Sequence, residues 1–182
     1  MEGCAFVFIN TEQAVRFGHV GWGFCIDSAK GLYYFGSSDH LYRHPWWDLP
    51  GWLRYAHVEP DADIDWWSDM GTYEEMTSVM SSGQSAVDQR YRIWYHMAKE
   101  IPVPAARPQP AVAAAQALAG GGWSVLANNC VHQTYQVLTE YGAFIPAPAQ
   151  PVTNLIPRLW FATLPGRQVN LPLPNNNTAV II

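Results

Sequence analysis

"LANNCVHQTYQVLTEYG", residues 126–142, is the stretch on which the reading of this chain turns. Val131, Tyr135, Leu138 and Tyr141, with Val137 beside them, follow the i, i+4, i+7 spacing of an amphipathic helix. Asn129 is a good N-cap and Gly142 a good stop, so the helix is expected to begin at Cys130. There the positive end of the helix dipole and the unpaired N–H groups of the first turn favour a thiolate over a thiol. The competing interpretation is a buried cysteine that fills space as a small hydrophobe.

A nucleophilic thiol needs a base. Histidines stand at 19, 40, 44, 57, 96 and 132. His19 follows Gly18 at the mouth of the apolar run HVGWGFCI (19–26), where a strand end can aim an imidazole across a cleft at a helix start. His132 is two residues into the Cys130 helix, about 200° round from the thiol, and suits packing or capping instead. His40 and His44 have a metal-ligand spacing only if that segment is helical; Pro45 follows and no third ligand is evident. The acidic run EPDADIDWWSD (59–69) lacks the glycine and terminal glutamate of a calcium loop and reads as a solvated loop. No metal or organic cofactor is called for.

Bulk composition narrows the classes. With 182 residues, 49% hydrophobic and 14% charged, the chain is expected to fold as one packed domain over 1–182. A net charge of -5 and the lack of any basic stripe argue against nucleic acid as partner. No apolar run approaches the ~18 residues of a membrane span. Three scattered cysteines (Cys4, Cys25, Cys130) and a start without a basic leader suggest a reducing, cytoplasmic setting.

Along the chain, CAFVFIN (4–10), HVGWGFCI (19–26) and GLYYFG (31–36) read as strands, the last two a hairpin turning at DSAKG (27–31), with SSDH (37–40) breaking the pattern. Residues 41–69 hold five of the nine tryptophans and three prolines with no clean period, which reads as an aromatic insertion. Thr72 and Glu75 form a capping-box pair opening a short helix at TYEEMTSVM (72–80). RYRIWYHM (90–97) alternates like a strand, IPVPAARPQP (101–110) reads as an extended connector, and AVAAAQALA (111–119) as a helix stopped by Gly120–Gly122. A last helix is expected over about 153–163, and the tail from about 166 is expected to be loosely held.

Three of these stretches together, GHVGWGF (18–24), GLYYFGSS (31–38) and WSVLANNCVHQTYQVL (123–138), resemble the circularly permuted papain-like cysteine hydrolases, in which the histidine strand precedes the cysteine helix. The pattern is most similar to the PPPDE peptidases, which include desumoylating isopeptidases. The Asn129-Cys130-x-His132 order also resembles the lecithin retinol acyltransferase family, and permuted NlpC-type enzymes share the layout. The resemblance implies an α+β fold with a small antiparallel sheet packed against helices. It implies a Cys130–His19 dyad that cleaves an amide or isopeptide bond of a peptide, protein or acyl-amide substrate through an acyl-enzyme. Cys130 attacks, His19 is base and then acid, and N–H groups at the helix start hold the oxyanion. Asn129, Ser37 and Tyr34 are the candidates for oxyanion or orienting support. Where many relatives have a third polar residue, this chain has Tyr34 and Phe35, so Ser37, Ser38 or a backbone carbonyl is left to orient His19. The alternatives are an acyltransferase on the same dyad, and a non-catalytic binding module that uses the tryptophan-rich block. In a hydrolase that block is expected to wall a groove with Cys130 at its floor.

Overall fold

The structure, a computed structural model, describes residues 2–12, 16–40, 64–82, 94–124, 128–148 and 156–172. The apolar runs of the sequence become strands β1 (Gly3–Asn10), β2 (His19–Asp27) and β3 (Leu32–His40), joined as an antiparallel meander. Strand β3 continues through SSDH, where the sequence predicts a break. Ser and Asp favour turns in an exposed chain, but here pairing with a further strand, β4 (Ile64–Thr72), carries them in the ladder as far as His40↔Ile64. The same pairing places IDWWSD (64–69) in a strand and not in the expected loop. The rest of the insertion, residues 41–63, lies outside the described residues.

Helix α1 (Tyr73–Ser82) starts as predicted: Thr72 N–H donates to Glu75 Oε2 at 2.7 Å and Glu75 N–H donates to Thr72 Oγ1 at 3.2 Å. The strand expected over 90–97 falls later, as β5 (Met97–Val103), residues 90–93 being outside the description. Trp94–His96 leave the ladder because Tyr95 turns into the interior, its N–H donating to Met80 O at 2.7 Å. Three residues of the expected connector, Ile101–Val103, belong to β5, with Pro102 opposite Cys4 past the end of the neighbouring edge strand. Helix α2 (Pro108–Ala117) then begins three residues before its prediction, because prolines in a first turn forfeit no helical hydrogen bond. A 3-10 turn, Leu118–Gly121, ends it.

Helix α3 (Cys130–Tyr141) has the predicted bounds, closed by Gly142 at φ 101°. Helix α4 (Pro157–Thr163) covers the described part of the last predicted helix except Ile156, its N-cap. The expectation of a loose tail from 166 fails for its first residues. Strand β6 (Arg167–Asn170) pairs antiparallel with β5, and Arg167 bonds Glu100 across the pair (Nε–Oε2 3.1 Å).

The fold is therefore α+β, one six-stranded antiparallel sheet in the order β4-β3-β2-β1-β5-β6 with helices on both faces among the described residues. Alternation along the central strands sorts the core. Ala5, Val7, Ile9, Val20, Trp22 and Phe24 face α2, α3 and α4. Phe6, Phe8, Phe35 and Trp67 face α1 and Tyr95. No described helix is long and apolar enough to cross a membrane.

Candidate active site

Gly18 turns the chain into β2 at φ 93°, a conformation that favours glycine, and Arg158 N–H anchors the turn by donating to Phe17 O at 3.1 Å. His19 is thus the first residue of β2, at the end of the sheet. Carrying the Trp22↔Gly36 register outward puts Asp39 across from it on β3, with Phe35, Ser37 and Asp39 on one face.

The side chains meet. His19 Nε2 lies 3.0 Å from Asp39 Oδ1 and 3.0 Å from Ser37 Oγ. Tyr95 donates its hydroxyl to Ser37 Oγ at 2.7 Å and to Asp39 Oδ1 at 3.3 Å, and Trp67 Nε1–H donates to Asp39 Oδ2 at 2.8 Å. Gly21 makes room for this: a Cβ there would stand 2.9 Å from the Tyr95 oxygen. A carboxylate only accepts, so Asp39 holds the Nε2 proton on His19 and leaves Nδ1 as the basic nitrogen. The Cys130 side chain lies close enough to act on the ring's charge.

Electrostatics follow from these contacts. Burial alone pushes an imidazole down, as at His132 and His96. His19 is buried too, yet the Cys130 charge and the Asp39 hydrogen bond outweigh burial and raise it to about 10. Burial and the Asp39 charge raise Tyr95 far enough that it stays a donor. Cys4, by contrast, is pushed up to about 12 by burial and the Glu100 carboxylate, and Cys25 is raised by burial.

Helix α3 brings the thiol to this cluster. Asn129 caps it, Oδ1 accepting from Val131 N–H at 3.0 Å, His132 N–H at 3.4 Å and His132 Nδ1 at 3.0 Å. The cap consumes two of the helix-start donors expected to serve an oxyanion and leaves the Cys130 N–H, which has no partner within its own helix. His132 serves this cap and not the thiol.

Of the residues singled out in the sequence, Cys130, His19 and Ser37 come together, and Asn129 holds the helix start. Tyr34 does not join them: it lies on the opposite face, its hydroxyl 2.6 Å from Ser68 Oγ and its ring against Trp22 and Phe24. Asp39 and Tyr95 are not among the site residues the sequence points to; Trp67 belongs to the block expected to wall the groove, but its indole binds Asp39. A signal for Asp39 existed, since it continues the alternation of Phe35 and Ser37. His44 lies outside the described residues and only the backbone of His40 is described, as for Asp65 in the acidic run. Among the described residues no cluster of three or more His, Cys, Asp or Glu could hold a metal.

Access differs from the expected open groove. Cys130 is 5% exposed and belongs to the apolar core on the α3 face. The neighbouring cavity is walled by Trp66 and Trp67 of the tryptophan-rich block, and Cys130 is not among the residues that line it. Compared with known proteins, the chain matches no family model, no curated protein and no solved structure.

Proposed function

We propose that this protein is a cysteine hydrolase of the permuted papain-like layout, cleaving an amide or isopeptide bond through an acyl-enzyme on Cys130. The observation that carries the reading is the His19 ring, hydrogen-bonded to Asp39 and close enough to Cys130 to feel its charge. A buried imidazole so placed takes the thiol proton and is held in one tautomer while it does so. The thiolate attacks the carbonyl carbon, the carbonyl oxygen becomes anionic, and the Cys130 N–H stabilises it. The C–N bond then breaks, and His19 gives its proton to the departing amine. Water, deprotonated by His19, attacks the thioester and releases the acid. Asp39 orients His19 and stabilises the imidazolium. No cofactor takes part in these steps.

Intact-mass analysis after mixing with p-nitrophenyl acetate tests the reading. The expected result is an acetyl thioester on Cys130, labile to hydroxylamine, lost in Cys130→Ala and slowed in His19→Ala. Faster discharge by an added primary amine than by water would make the enzyme an acyltransferase on the same dyad. The burial of Cys130 beside a tryptophan-lined cavity favours a second reading, a non-catalytic binding module. That reading takes over if no adduct forms at Cys130 while the protein is folded.

A further inference from the structure

Tyr95 touches the His19 cluster, yet none of the catalytic steps uses it. The residue is fully buried and its backbone is pinned just before β5. Its N–H donates to Met80 O at 2.7 Å; on either side, Asn10 Nδ2 donates to Trp94 O at 2.7 Å and His96 N–H to Ile9 O at 3.1 Å. The ring stacks on the His19 imidazole, with centroids 5.9 Å apart and planes inclined by 28°. The hydroxyl fits over Gly21, where a Cβ would stand 2.9 Å from the oxygen. A buried tyrosine hydroxyl needs one acceptor, and any carbonyl would serve. Here it reaches two, Ser37 Oγ at 2.7 Å and Asp39 Oδ1 at 3.3 Å. They are the same two atoms that His19 Nε2 contacts, each at 3.0 Å.

We propose that Tyr95 is a positioning residue that tempers the base. Its hydroxyl competes with His19 Nε2–H for Ser37 Oγ and Asp39 Oδ1, so His19 holds its proton less tightly than with those acceptors to itself. The proposal rests on the reading of His19 as the base for Cys130. An oxygen that accepts from two donors gives each of them less, and the hydroxyl hydrogen sets partial positive charge beside the imidazolium. Among the described residues, the groups that face His19 are Cys130 from α3, Ser37 and Asp39 from β3, and Tyr95. Against burial, the Cys130 charge and the Asp39 hydrogen bond raise the imidazole to about 10. A group titrating that far above neutral takes the thiol proton readily but returns it slowly to a departing amine, because acid–base catalysis is best served near the working pH. Tyr95 works against that excess. It stays a donor throughout, since burial and the Asp39 charge raise its own hydroxyl well above the ordinary tyrosine value.

The test is the pH titration of the His19 ring, followed by NMR in the full chain carrying Cys130→Ala. That background removes the thiol, so the transition belongs to His19 alone. His19→Gln identifies the resonance. Adding Tyr95→Phe, which keeps the ring and drops only the hydroxyl, is expected to raise the midpoint by about 0.7, a proton held about fivefold more tightly, the worth of one neutral hydrogen bond. Adding Ser37→Ala, which removes a shared acceptor, is expected to lower it by a similar amount. Tyrosine replaced by 3-fluorotyrosine, whose hydroxyl is the stronger donor, is expected to lower it while every residue keeps its place. A tyrosine that only filled the core would leave the midpoint still, and a general loosening of the site would move Tyr95→Phe and Ser37→Ala the same way. The proposal is overturned if Tyr95→Phe fails to raise the midpoint, or if Ser37→Ala or 3-fluorotyrosine fails to lower it. The hydrolase reading fails separately, by the absence of an acetyl adduct on Cys130, which these Cys130→Ala proteins do not report.

Discussion

The two halves of β2 each lie beside a buried cysteine, and the two thiols are equally hidden, at 5% exposure. At the C-terminal half Cys25 pairs with Tyr33 of β3. Burial pushes its thiol up, the Asp27 carboxylate adds to that, and Tyr141 ties the backbone by donating to Cys25 O at 2.7 Å. At the N-terminal half Cys130 meets an imidazole that is itself bonded to a carboxylate, a serine and, through them, a tyrosine and a tryptophan. Burial is common to both ends. What separates them is the neighbouring group, a carboxylate beside Cys25 and an imidazole beside Cys130.

The largest expected effect is on thiol chemistry. A limiting amount of iodoacetamide at neutral pH should label Cys130 well ahead of Cys25 and Cys4, read by peptide mass. His19→Ala should slow the Cys130 reaction by about 100-fold, at the low end of what a positioned base contributes. His132→Ala, which touches only the cap, should leave that rate nearly unchanged. Equal labelling of the three cysteines would erase the difference between the two halves.

Next in size is the stability held in the polar half. Asp39→Asn leaves the His19 charge without its partner and should cost about 3 kcal/mol at pH 7 in urea unfolding. The sign with pH follows from the raised imidazole. Protonated His19 contributes fully below about 6.5, its unfolded value, and the contribution is lost as pH rises through its folded value of about 10. The wild type should therefore lose stability between those pH values. Asp39→Asn should lose less over the same range, and a parallel decline in the two proteins would remove the His19–Asp39 pair from the account.

The smallest effect belongs to the cap that sets where the thiol stands. Asn129→Ala should destabilise by about 1 kcal/mol, and Asn129→Ser should recover most of it, since a serine oxygen also caps. Both are measured by thermal unfolding; a neutral Asn129→Ala would mean that the helix start is held by other contacts.

The same contrast explains what was legible beforehand. Helix α3 was readable to the residue because its periodicity, N-cap and C-terminal glycine all agree and all act locally. The capping box of α1 was readable for the same reason. The apolar strands β1 and β2 announced themselves by composition, and the Cys130–His19 pair by its position at two element starts. What failed depended on partners far away. Ser37 to His40 look like a turn until β4 is laid beside them, and Arg167–Asn170 look like a tail until they find β5. Asp39 went unnoticed because its role exists only once β3 is extended past Gly36. Tyr95 was assigned to a strand because nothing near it in sequence says that its hydroxyl is needed across the sheet.

The order of the sheet carries a kinetic consequence. Strands β1 to β4 pair with their neighbours in sequence, but β5 must return to the free side of β1, joining Ile9 to Met97. Closing that long loop is slow compared with forming the meander, because the chain gives up its freedom before the contacts reward it. Tyr95 arrives with that step, held there by Asn10 Nδ2 donating to Trp94 O at 2.7 Å and His96 N–H to Ile9 O at 3.1 Å. A refolding chain would thus show most of its sheet before its His19 network is complete, and thiol reactivity should be the last property to return.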